Sequence, residues 1–110
     1  MRIPFLGIMA AALALTLACS DGGGGTDLVA SGRKAYVANC TACHNPDPTR
    51  DGTMGPAIAG ASLELLEARV LRAEYPPGYT PKRDSKLMPA QPFLKAELPA
   101  LAAYLGSLSR

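Results

Sequence analysis

Cys40-Thr41-Ala42-Cys43-His44 is the stretch whose reading decides the rest of this 110-residue chain. Residues i, i+3 and i+4 share one face of a helical turn, so both thiols and the imidazole project from the same side. A Cys-x-x-Cys pair of the thioredoxin kind belongs in a βαβ setting, and no such pattern surrounds this one. A structural zinc site needs four ligands. With no second cysteine pair and one histidine in the chain, at most three such ligands are at hand. The favoured reading is attachment of one covalent c-type haem, with a haem-free thiol protein as the alternative. Cys40 and Cys43 then form thioethers with the two porphyrin vinyl groups, and His44 donates a ring nitrogen to the iron.

Upstream of the motif, the chain opens Met1-Arg2 and runs apolar over residues 3–18, broken by Pro4, Gly7 and Thr16. One positive charge, a short apolar core and a small residue at the break read as an export signal over residues 1–18. The run is short and weakly flanked for a spanning helix. Leu15-Thr16-Leu17-Ala18-Cys19 resembles a bacterial lipoprotein signal, in which the cysteine becomes the lipid-bearing first residue. Leu17 departs from that pattern, where a smaller residue is usual, and an ordinary secretory signal is the alternative. With Cys19 assigned to lipid and Cys40 and Cys43 to haem, none of the three cysteines is left over. Gly22 to Gly25 are four successive glycines, which read as a flexible tether within residues 19–27. Removing residues 1–18 removes Arg2 alone among the charges and takes the net charge from +2 to about +1. Near-neutrality argues against a nucleic-acid partner.

Residues 28–110 remain for a folded domain. Residues 28–43 read as a first helix with Leu28, Ala35, Tyr36 and Val37 as its apolar stripe and Ser31 as candidate N-cap. With the motif at its end, this domain resembles the small monohaem class I cytochromes c. The resemblance implies an all-α fold of about three helices wrapped around one covalently attached haem. It also implies that Gly32 and Tyr36 on the first helix pack against Leu101 and Tyr104 on the last. Between them, residues 45–60 read as loop, with turn signals at Asn45-Pro46-Asp47-Pro48, Asp51-Gly52 and Gly55-Pro56. By resemblance, the Pro56 carbonyl accepts the proton on the second ring nitrogen of His44, fixing tautomer and orientation. Ile58 then leans on the porphyrin edge.

A middle helix is expected over residues 62–74, capped by Ser62, with Leu63, Leu66, Val70 and Ala73 on one face. Arg69 and Arg72 are expected to point elsewhere, and Tyr75-Pro76-Pro77-Gly78 stops the helix. The last helix is expected over residues 96–108, where Leu98, Leu101, Leu105 and Leu108 keep helical spacing. Pro99 is tolerated in its first turn, where an N–H has no partner anyway.

Residues 75–92 hold five prolines and no periodicity. So long a loop in a small domain implies service to a site. By resemblance, Met88 before Pro89 supplies the sixth iron ligand, a thioether on the face opposite His44. Met88 stands 44 residues beyond His44, whereas Met54 stands ten beyond it and is expected on the histidine side. Two haem propionates need partners if buried. Tyr75 or Tyr79 with Lys82 or Arg83 are the candidates, Tyr79 and Arg83 foremost. Cations left over, Lys86 included, form a weakly positive rim for docking.

Both axial positions filled by His44 and Met88 leave no place for substrate. The resemblance therefore implies a one-electron carrier and not an enzyme, serving redox partner proteins in the periplasm or cell envelope from a membrane-bound lipid anchor. The alternatives are a haem sensor or catalytic haem with an open sixth position, and an electron-entry subunit of a larger membrane oxidoreductase.

Overall fold

A computed structural model describes residues 24–109. The expected export signal, Cys19, Gly22 and Gly23 lie outside those residues. The described chain forms α1 (Gly24–Asn39), α2 (Leu63–Leu66) continued by a wide π turn (Glu67–Leu71), and α3 (Leu98–Ser107) entered through 3₁₀ turns (Pro92–Glu97). There is no strand among the described residues. The fold is all-α, as the sequence implied. Among the described residues no helix is long and apolar enough to cross a membrane.

α1 differs from expectation at both ends. It starts at Gly24, four residues early, so Gly24 and Gly25 belong to its first turn and Ser31 lies in its middle. Glycine costs a helix about 1 kcal/mol against alanine. Asp27 in the first turn favours the helix through its dipole, and packing against α3 supplies the rest. That packing is close because Gly32 has no side chain. A Cβ there would fall 1.9 Å from the Ala100 carbonyl oxygen and 2.7 Å from Tyr104 Cβ. One turn on, the Tyr36 and Tyr104 rings meet at 5.7 Å between centroids, tilted by 54°. Tyr36 is wholly buried, and Leu98, Leu101 and Leu105 close the core around it. The Tyr36 hydroxyl donates to the Asn45 carbonyl, so the polar end of this wholly buried side chain is paired.

α2 is capped as expected, with Ser62 Oγ accepting from the Leu65 amide at 3.1 Å. Beyond Leu66 the π turn adds a residue per turn and rotates the downstream residues off the 3.6-residue spacing. Leu66 and Val70 stay buried, but Ala68 takes the third buried place. Leu63 is left 40% exposed, and Ala73 lies past the helix with φ +55°. At the other end of the domain, Pro99 has no N–H to give Lys95, so the preceding residues tighten into 3₁₀ turns. The last helical rod begins at Pro92, earlier than expected, with that proline in a first position where a missing N–H costs nothing.

Candidate functional site

The chain leaves α1 at Asn39 and makes one further, less regular turn. The Cys40 amide donates to the Tyr36 carbonyl at 2.9 Å, the His44 amide to the Cys40 carbonyl at 2.9 Å, and the Cys43 amide to that same oxygen at 3.3 Å. The Thr41 hydroxyl donates back to the Val37 carbonyl at 2.9 Å. The motif thus sits on a turn just past the helix and not on its last residues. Cys40 and Cys43 are half-buried free thiols, and His44 is buried. Burial, helped by the neighbouring Cys43, pushes the Cys40 thiol up from 9.0 to about 11. At neutral pH it carries its proton.

His44 Nδ1 lies 2.8 Å from the Pro56 carbonyl oxygen. A carbonyl only accepts, so Nδ1 holds the proton and Nε2 keeps its lone pair for a ligand. The loop that presents Pro56 is pinned to the motif. The Gly55 amide donates to the Cys43 carbonyl at 2.9 Å, and the Gly52 amide to the Gly55 carbonyl at 2.8 Å. Asp51 Oδ1 accepts from the Ala57 amide at 2.8 Å. Gly55 passes so close to the imidazole that a Cβ there would meet Cε1 at 2.5 Å and Nδ1 at 2.6 Å. Earlier in the loop, Asp47 accepts from the Thr49 hydroxyl and amide, which hold its carboxyl below the usual carboxylate range.

Two cavities of about 350 and 240 Å³ share Cys43, His44, Ile58, Leu66, Val70 and Met88 as walls. The larger adds Pro56, Tyr79 and Arg83, and the smaller adds Cys40 with Tyr36 and Leu101 behind it. Every haem or iron residue chosen from the described part of the sequence therefore borders this space. The donors are two thiols, an imidazole with Nε2 free and a thioether, in largely apolar walls, and the volumes match a cofactor pocket. These residues fit a haem. They do not fit zinc, because no group of three or more His, Cys, Asp or Glu comes together among the described residues.

Several placements depart from expectation. Arg69 lines the larger cavity instead of pointing away. Its guanidinium lies 4.3 Å from the centroid of the Tyr75 ring, which stacks on Tyr79 at 5.5 Å and 10°. Its Nη1 also donates to the Ala73 carbonyl at 2.9 Å. Arg69 stands three residues after Leu66 and one before Val70, so it borders the face those two residues present to the cavity. Lys82 and Arg83, expected to serve propionates, donate to the Ala57 and Gly52 carbonyls. Leu65 and Leu87 join the walls without having been singled out.

No curated protein matches the chain. A family model described as Cytochrome c matches residues 29–109, from early in α1 to just past α3. The match spans the motif turn, the cavity walls and the α1–α3 contact alike. This chain belongs to the cytochrome c family, haem proteins that carry electrons on one covalently bound haem c.

Proposed function

We propose that the protein is a one-electron carrier of the periplasm or cell envelope, exported by residues 1–18 and held at a membrane by lipid on Cys19. Its partners are redox proteins that give and take single electrons, and it turns over no substrate of its own. Cys40 and Cys43 form the thioethers, His44 Nε2 is the proximal ligand and Met88 the distal one. Pro56 and Ile58 face the ring, and Tyr79 stands toward its propionates.

The observation that carries this reading is that His44 and Met88 border the same cavities while the His44 Nδ1 proton is committed to Pro56. Bound there, the haem supplies an iron that accepts and returns one electron. The protein's part is to hold still around it. Pro56 and Gly55 keep the imidazole from turning, so a change of charge needs little rearrangement. Leu66, Val70 and Ile58 keep water out, which disfavours the more positive oxidised state and raises the potential. Met88 fills the position that a substrate or gas would otherwise take.

The test is the absorption spectrum of the reduced, haem-loaded full chain with and without carbon monoxide. A low-spin spectrum that carbon monoxide changes slowly supports the carrier, and rapid uptake shows an open sixth position and overturns it. Mass spectrometry of the mature protein reads the remaining claims together. One haem and an acyl addition are expected, the acyl mass disappearing with Cys19→Ala.

A further inference from the structure

Residues 80–90 carry Met88, yet among the described residues no backbone hydrogen bond joins them to the rest of the domain. The segment is secured at its ends. On one side Arg69 holds Tyr75, which stacks on Tyr79. On the other, the Gln91 amide donates to the Val70 carbonyl, an acceptor within the π turn. Between those ends two side chains cross to the loop that positions His44. Lys82 Nζ donates to the Ala57 carbonyl at 2.7 Å. Arg83 Nη2 donates to the Gly52 carbonyl at 3.3 Å, with the Asp51 carboxylate 3.9 Å away.

We propose that Lys82 and Arg83 are positioning residues, a two-pronged latch fastening the Met88 segment to the loop that orients His44. Both prongs close on one short stretch. Ala57 follows Pro56, whose carbonyl holds the imidazole, and Gly52 is bonded to Gly55 beneath it. Asp51 ties that stretch internally through the Ala57 amide and attracts Arg83 as well. The acceptors therefore do not give way, and strain on the latch is felt by the Met88 segment. Hydrogen bonds from a charged donor are about twice as strong as neutral ones, which suits them to hold a segment with no backbone bonds of its own. The latch rests on the carrier reading for its purpose, which is to keep the Met88 sulfur at the iron, but its fastening is a separate physical claim.

The experiment compares the haem-loaded full chain with Lys82→Met, Arg83→Met and Lys82→Arg, by amide hydrogen exchange and by carbon monoxide uptake in the reduced state. Lys82→Met keeps the apolar stem and removes the donor. It is expected to speed exchange of the Gln91 amide, which is bonded to the Val70 carbonyl at the end of the segment, about tenfold, an opening made easier by about 1.4 kcal/mol, and to speed uptake comparably. Arg83→Met acts in the same direction and less strongly, since its bond is longer. Lys82→Arg retains a donor and restores most of the protection. Unchanged exchange in both methionine variants, with α1 and α3 still protected, overturns the latch. If the wild type takes up carbon monoxide rapidly while exchange still rises in the variants, the latch stands and Met88 ligation falls.

Discussion

His44 Nδ1 and the carbonyl oxygen of Pro56 stand 2.8 Å apart, and this one contact decides which way the other ring nitrogen faces. It survives only because the residue before Pro56 is glycine. A methyl group on Gly55 would lie 2.5 Å from His44 Cε1, and the imidazole has no room to retreat without losing its bond. Gly55→Ala is expected to cost about 1–3 kcal/mol, the usual range for overpacking, and to lower the melting temperature of the haem-loaded protein by several degrees. Pro56→Ala keeps the carbonyl and is expected to cost less. Thermal unfolding followed by circular dichroism ranks the two, and the reverse order would contradict the account.

Two helical glycines give opposite forecasts. In an open helix position Gly→Ala gains up to about 1 kcal/mol. Gly106 on α3 has nothing within 4 Å of an added Cβ, so Gly106→Ala is expected to raise stability slightly. Gly32 faces the Ala100 carbonyl at 1.9 Å, a separation no side-chain rotation relieves. There α1 and α3 must move apart, and the loss outweighs the propensity gain, with a net cost of about 1–3 kcal/mol. Denaturant midpoints of the two variants should fall on opposite sides of the parent.

Tyr36 makes stability depend on alkaline pH. Burial, with smaller contributions from Cys40, Tyr104 and Asp47, raises its hydroxyl from 10.0 to about 12. The unfolded chain then releases this proton first. The stabilisation is complete below pH 10 and is lost as pH climbs from 10 towards 12. Tyr36→Phe has no such proton and leaves the Asn45 carbonyl without its donor, a cost of about 1 kcal/mol at neutral pH. Melting temperatures of the two proteins should converge above pH 10, and parallel curves across that range would refute the assignment.

Removing the haem should remove the fold. A domain this small buries a modest core, and cavities of about 350 and 240 Å³ open beside His44 within it. With Cys40→Ala and Cys43→Ala together the chain is expected to lose most helical circular dichroism and its sharp thermal transition. A cooperative melt in that variant would show that α1 and α3 suffice alone.

Much of this arrangement was legible from the chain itself. Cys40, Cys43 and His44 are neighbours along one turn, so their convergence needs nothing from elsewhere. Gly32, Tyr36, Leu101 and Tyr104 were readable as a contact through the family resemblance, and Gly55-Pro56 through its place after the motif. Ser62 was readable as a cap because capping is local. Periodicity misled over Ala68 and Ala73, since it assumes 3.6 residues per turn and the π turn does not keep to that, whereas Leu63 lies ahead of that turn and is left exposed at the start of α2.

The sequence by itself marked the turn proposed to attach haem, because that chemistry depends on residues a few positions apart. The tertiary structure alone decided what Arg69, Lys82 and Arg83 do. Arg69 lines the larger cavity with its guanidinium over the Tyr75 ring, and the two loop cations find backbone carbonyls 25 and 31 residues earlier. A carbonyl is present at every position, so no residue type marks which one a distant cation will choose. Only the folded path of the backbone brings donor and acceptor together.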